Sequence, residues 1–293
     1  MQQRLRRLGA GLRGALRGAR SPGTAVPEGQ VIQLDYPMHP APRWGYGRAP
    51  HEQLHALIDA NRAVYARHLE SFLPFVDELA AISFDEAGAE PNWTNLYFRG
   101  LDAVSLYCFL AQRRSATYLE IGAGNSTRFA RRAISLHGLP TRIVSIDPAP
   151  RAALRGLSDE YIDAPLEQVD QSVFDVLTGE DVVVLDGSHQ SFMNSDVTVF
   201  FCELLPRLPS GLLLYVDDVF LPWDYPESWV DRWYSEQYLL AAWLLAGERL
   251  EVTLPNFWIC TEPDLHRVLA PLWDRFTWAA VPTNGTGFWV TVR

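Results

Sequence analysis

Residues 118–126 read Tyr-Leu-Glu-Ile-Gly-Ala-Gly-Asn-Ser. Tyr118, Leu119 and Ile121 make a short apolar strand interrupted by an acid, Glu120. The chain then turns on Gly122 and Gly124 into a helix from about Ser126 to Leu136. Glycines at these two positions let the backbone turn tightly and approach a ligand with no side chain in between. The helix start behind them offers free N–H groups to a carboxylate or phosphate. Such a turn is common, so its meaning depends on the strands that come after it in the chain.

The β-branched run 141–146 ends in Asp147, 25 residues after Gly122. An acid there is placed to hold both hydroxyls of a ribose. Residues 182–185 form a second apolar strand ending in Asp186-Gly187-Ser188-His189, and 212–216 a third ending in Asp217-Asp218. Strand-end acids also cap helices, but three successive strands with a carboxylate at the tip fit a ligand site at the C-terminal edge of a sheet. The pattern predicts strands at 117–121, 142–146, near 166–169, 182–185, 212–217, 250–254 and 287–292. Helices fall at 126–136, near 151–156, at 192–207 and 229–246, and near 263–271. That alternation predicts an α/β fold, doubly wound and mostly parallel, with helices on both faces.

With these residues the chain resembles the class I S-adenosylmethionine-dependent methyltransferases. Glu120-x-Gly122-x-Gly124-x-Ser126 stands for the acidic glycine motif, with Ser126 where the last glycine is usual. Asp147 stands for the ribose acid, and Asp186 and Asp217-Asp218 for later strand-end acids. A bacterial branch of that superfamily is more similar still. Its phrases appear as residues 120–127, 145–151, 186–189, 192–196, 218–226 and Tyr234-Ser-Glu-Gln-Tyr238, and the likeness covers roughly 90–260. The resemblance implies a seven-stranded Rossmann-like sheet with a late hairpin-like pair. It also implies S-adenosyl-L-methionine as donor, bound by Glu120, Gly122, Gly124, Asn125, Ser126, Asp147, Asp170 and Asp186. Glu120 would face the donor's amino acid end directly or through water, and Asp170, or alternatively Glu167, the adenine amino group.

A chain of 293 residues, 48% hydrophobic and 12% aromatic, can bury one full catalytic core. No apolar run reaches the ~18–20 residues that a membrane-spanning helix needs. Cys108, Cys202 and Cys260 are odd in number and form no CxxC pair, which fits a cytoplasmic protein. All 25 basic residues are arginine, which excludes Schiff-base, pyridoxal-phosphate and Walker lysine chemistry.

Residues 1–27 carry six arginines and no acid, so a whole-chain charge of −10 leaves −16 for the remainder. An acidic body repels polyphosphate and argues against a nucleic-acid substrate. Leu5, Leu8, Leu12 and Leu16 fall at helical spacing among the arginines. That makes residues 1–20 either a tail disordered in isolation or a peripheral contact for the inner membrane face. The expected organisation is a basic arm and linker over 1–50, an N-terminal helical cap over 51–115, and the donor-binding domain over 116–293. In the cap, helices are expected at 51–69, 71–82 and 99–112.

Methyl transfer requires an acceptor oxygen aligned with the donor methyl and, where needed, removal of its proton. Asp186, Asp217 and Asp218 come from neighbouring strand tips and would make an all-oxygen Mg²⁺ site, or serve without metal as donor contacts and caps. His189, beside Asp186, is the candidate general base, against a purely structural loop histidine. The run Phe220, Trp223, Tyr225, Trp229, Trp233, Tyr234 either lines an acceptor pocket, closes as a lid or only packs. The leading expectation is O-methylation of a small-molecule or glycan hydroxyl. An NAD(P)-dependent oxidoreductase fits less well, because the third glycine of its motif falls on Thr127. A non-catalytic docking module on the same fold is the remaining alternative.

Overall fold

The computed structural model describes residues 33–85, 88–149, 154, 156–277 and 281–293. The arginine arm and most of the helix expected near 151–156 lie outside them. The chain divides into two compact units, 1–40 and 41–293. The helices over 51–115 and the sheet therefore share one unit. The expected linker also ends earlier than residue 50. The Trp44 amide donates to the Asp224 carboxylate at 3.0 Å, and the Tyr46 hydroxyl donates to the Asp224 carbonyl.

The first expected helix splits at Asn61 into α1 (Glu52–Asp59) and α2 (Arg62–Phe72). A 3₁₀ turn with Pro74 leads into α3 (Val76–Ala80). Next comes α4 (Leu101–Arg113), whose residues 101–110 are all buried. It lies under the sheet as a core helix rather than a loose cap.

The sheet has seven strands among the described residues: β1 (Thr117–Ile121), β2 (Arg142–Ile146), β3 (Glu160–Ile162), β4 (Val182–Leu185), β5 (Leu213–Val216), β6 (Leu250–Pro255) and β7 (Phe288–Val292). Their order is β3-β2-β1-β4-β5-β7-β6. β1 to β5 pair in parallel, whereas β7 runs antiparallel between β5 and β6. The central strands are apolar and buried on both faces, as parallel strands under helices must be. Helix α5 (Asn125–His137) follows β1 and ends on Gly138 in the left-handed conformation.

Three elements depart from the sequence expectation. The third strand is at 160–162, and Leu166–Gln168 is a 3₁₀ turn behind Pro165. Three residues on a sheet edge are too few to show an alternation. The helix expected at 192–207 begins as α6 (Asp196–Val199), capped by the Ser195 hydroxyl. It widens to a π turn at Phe200–Leu204 and tightens to 3₁₀ at Leu205–Arg207, where Pro206 has no N–H to give. The helix expected at 229–246 is a 3₁₀ turn, Glu227–Arg232, and α7 (Glu236–Ala246), separated by Trp233 at φ 56°. Three short helices, α8 (Asn256–Thr261), α9 (Pro263–His266) and α10 (Ala270–Trp273), join β6 to β7. No described helix is long and apolar enough to cross a membrane.

Candidate active site

Parallel strands β1, β2, β4 and β5 end together, and their backbones knit at that edge. Gly122 N–H donates to Ile146 O, Asp186 N–H to Ile121 O, and Asp217 N–H to Leu185 O, each at 2.9 Å. Gly122 sits at φ +85°, and a Cβ there would meet the Asp186 carbonyl oxygen at 1.8 Å. Only glycine fits, and the reason is the neighbouring strand. At Gly124 a Cβ would meet nothing within 4 Å. Its bareness faces open space.

That space is a cavity of about 640 Å³, within the usual range for a small-molecule site. Gly122, Gly124, Asn125, Asp147, Asp186, Asp217, Asp218 and His189 all line it, so eight of the residues singled out in the sequence converge. Asp147 accepts from Ala123 N–H at 2.8 Å and Ala149 N–H at 2.7 Å. A carboxylate has about four lone-pair positions, so roughly two remain for a ligand.

Three expected donor contacts lie elsewhere. Glu120 is wholly buried inside the sheet and accepts from Tyr118, Ser126, Thr127 and Ser145 hydroxyls at 2.5–3.1 Å. Burial, opposed by those hydrogen bonds, pushes its pKa up to about 7. It ties β1 to β2 and α5 and does not line the cavity. Ser126 is buried with its hydroxyl on Glu120, so it too is a brace. Asp170 is exposed and caps the 3₁₀ turn at 171–174 through Ser172 N–H, away from the cavity wall. Glu167 is likewise exposed on its own 3₁₀ turn.

His189 is 5% exposed and held at φ 60°. Its Nδ1 lies 3.0 Å from Glu236 Oε1, and its Nε2 lies 3.4 Å from Asp186 Oδ1 and 3.7 Å from Asp218 Oδ2. Burial alone would lower its pKa, but Glu236 and Asp186 outweigh that and hold it well above the ordinary value. Both ring nitrogens therefore face carboxylates, which favour the protonated ring. The expected histidine base is thus a ring engaged by carboxylates at both nitrogens. Burial, with Asp186 adding to it, raises the Asp218 pKa against the pull of that ring. Asp218 also accepts from the Thr286 hydroxyl at 3.1 Å.

The three strand-tip acids do not form a cation cage. Asp217 accepts from the Tyr215 hydroxyl at 2.6 Å, and burial plus Asp186 and Asp218 raise its pKa well above the carboxylate range. Asp218 turns to Thr286 and His189 instead. Among the described residues no group of three or more His, Cys, Asp or Glu is arranged to hold a metal ion. Tyr215 and Thr286 each take a lone pair of Asp217 and Asp218 that a Mg²⁺ shell would use.

Four lining or adjoining residues carried no site role in the sequence. Asp102 closes the floor, buried and accepting from Thr286 N–H, Gly287 N–H and the Asn256 amide, each at 2.8 Å. Burial lifts its pKa to about 6. In sequence it passes for a first-turn helical acid. Glu236 is wholly buried, and its one available signal is its place in the phrase 234–238. Arg99 and Arg232 line the cavity as well. Of the aromatic run, Trp229 and Tyr234 reach the wall. Phe220 and Trp223 pack on Phe257.

Residues 119–219, which hold the glycine turn and all three strand-tip acids, match a family model described as a methyltransferase domain. Over that stretch the chain is similar to methyltransferase domains. The antiparallel β7 separates this sheet order from the mostly parallel dinucleotide-binding order. No curated protein matches the chain. Among solved structures, the SAH-bound methyltransferase PaMTH1 from Podospora anserina is 17% identical over 66% of this chain and 78% of its own, with a TM-score of 0.41. A candidate O-methyltransferase from Klebsiella pneumoniae is 14% identical over 83% and 99%, with a TM-score of 0.42. Neither likeness bears on the chemistry of the site.

Proposed function

We propose that this chain binds S-adenosylmethionine in the cavity at the strand tips and methylates a hydroxyl oxygen of a small acceptor. The observation that carries the reading is the coincidence of the matched segment with the cavity. The glycine turn, the ribose-type acid and the later strand-tip acids of 119–219 all face one space.

The residues present fit the donor. Gly124 leaves room for it, the first turn of α5 turns N–H groups toward it, and Asp147 keeps acceptor capacity for two ribose hydroxyls. When bound, the donor supplies an electrophilic methyl: the acceptor oxygen forms the new O–C bond, the S–C bond breaks, and its electron pair stays on sulfur. The acceptor's proton goes to a carboxylate of this chain. Asp218 is the candidate base, since it lines the cavity with a raised pKa and stands 3.7 Å from the His189 ring, whose positive charge favours its ionised form. Asp186, on the same ring, flanks the methyl's path. Glu236 fixes the ring from behind.

Titration calorimetry with S-adenosylmethionine and with NAD tests the donor reading. Saturable binding of the first and none of the second is expected, and the reverse would establish the oxidoreductase alternative.

A further inference from the structure

The cavity wall contains both signs of charge, but only one sign is spoken for. Asp102 accepts three hydrogen bonds, Asp147 two, Asp217 one from Tyr215, and Asp186 and Asp218 share the His189 ring. The guanidiniums of Arg99 and Arg232 have no ion pair and no hydrogen bond among the described residues. An unpaired guanidinium is a strong, planar anion receptor. With S-adenosylmethionine as the donor, on which this inference rests, the two sides do not balance. The donor carries a single carboxylate, and the wall offers two free guanidiniums.

Their places in the fold divide the work. Arg99 comes two residues after Tyr97, which with Leu96 shares a second hollow with Gly124 and Asn125 at the glycine turn. It therefore stands on the donor's side. Arg232 stands on the other side, in the segment after β5. Its guanidinium lies 3.9 Å from the Trp229 ring centroid and 5.5 Å from that of Tyr234. Tyr234 in turn packs on the His189 ring at 4.5 Å. Stacking on Trp229 restrains the guanidinium and leaves its N–H edge free. Arg232 is also close enough to draw the Asp218 pKa down. An anion held at Arg232 thus sits in the chamber where the acceptor's proton leaves, against an aromatic wall.

We infer that the acceptor is itself an anion: a hydroxylated molecule with a flat or apolar body and an oxyanion, carboxylate or phosphate, bound by Arg232. Arg232 acts as a specificity residue, and Arg99 takes the donor's carboxylate.

Ligand-observed NMR on the protein saturated with S-adenosylhomocysteine tests this with matched pairs, hydroxybenzoate against hydroxybenzamide and phenyl phosphate against phenol. The anion of at least one pair should bind at least tenfold more tightly, and whichever pair shows the preference tells carboxylate from phosphate. Arg232→Gln should abolish the preference and leave S-adenosylhomocysteine affinity unchanged. Arg99→Gln should weaken S-adenosylhomocysteine about tenfold or more and keep the preference. Equal binding within both pairs, no binding of either anion, or a preference that survives Arg232→Gln overturns the inference. Failure of the unmodified protein to bind S-adenosylhomocysteine overturns the donor reading instead.

Discussion

Oε1 of Glu236 lies 3.0 Å from Nδ1 of His189, across 47 residues of sequence, and both side chains are buried. Glu236 pins the ring with its other nitrogen toward Asp186 and Asp218, and it favours the charged ring. Its own pKa is pushed up to about 7, by burial first and against His189. In Glu236→Gln the imidazole loses its main counter-charge, so its pKa falls and less of the ring is protonated. Asp218 then keeps Arg232 but loses the positive charge of His189, and its pKa rises further. The acidic limb of kcat/KM against pH should therefore move to higher pH, with donor affinity unchanged. A profile identical to that of the unmodified protein would show Glu236 to be packing alone.

The two glycines of the turn should fail in different ways. Gly122→Ala puts a Cβ against the Asp186 carbonyl from a left-handed backbone, and the strand tips cannot separate without breaking their shared hydrogen bonds. A loss of about 3 kcal/mol or more in urea unfolding is expected. Gly124→Ala meets no protein atom. Its unfolding midpoint should be nearly unchanged while donor affinity drops about tenfold, since the added methyl occupies ligand space. Calorimetry and denaturation on the same preparations separate the two effects.

Asp147→Asn keeps the shape of the side chain and removes its charge. If both ribose hydroxyls donate to this carboxylate, the variant should bind S-adenosylmethionine about 1.5–3 kcal/mol more weakly, with folding little affected. Equal affinity would place the ribose elsewhere.

Asp217 and Asp218 are adjacent in sequence and should differ in consequence. Asp217 is engaged by the Tyr215 hydroxyl, and burial with Asp186 and Asp218 raises its pKa, so Asp217→Asn should cost little turnover. Asp218→Asn removes the proposed base and should lower kcat about a hundredfold. A Mg²⁺ site built on Asp186, Asp217 and Asp218 would instead be disabled by either substitution, and turnover would collapse in EDTA.

Buried acids with raised pKa values set the pH dependence of stability. Glu120 ionises near its ordinary 4.5 in the unfolded chain but at about 7 when folded. Between these values the folded state holds the extra proton, so stability falls as pH rises from about 4.5 to about 7 and is flat above. Glu120→Gln should remove a contribution on the order of 3 kcal/mol from that slope, read from urea midpoints between pH 5 and pH 8. An unaltered slope would assign the dependence to other buried acids, such as Asp102.

The sheet was legible because each central strand is a run of apolar residues closed by an acid, and tertiary packing keeps such runs as strands. The donor half of the cavity was legible for the same reason. Glu120 misled, because its place in a glycine motif suggests a ligand contact, whereas strand alternation turns it toward Ser145 and α5. For His189 the sequence shows its neighbour Asp186 but not the distant Glu236 that holds the other ring nitrogen. Asp102 and Arg99 were invisible: they precede the motif by about twenty residues and meet the site only through the packing of α4.

Strand β7 gives the two halves of the site different histories during vectorial synthesis. The turn at 122–124, Asp147 and Asp186 are all in hand once residue 187 has emerged. The free edge of β5 has no partner until β7 arrives, and Asp102 and Asp218 wait for Thr286 and Gly287, which immediately precede it. A nascent chain can thus shape its nucleoside pocket long before its reaction chamber. Thr286 and Gly287, about a hundred residues after Gly187, complete the chamber floor.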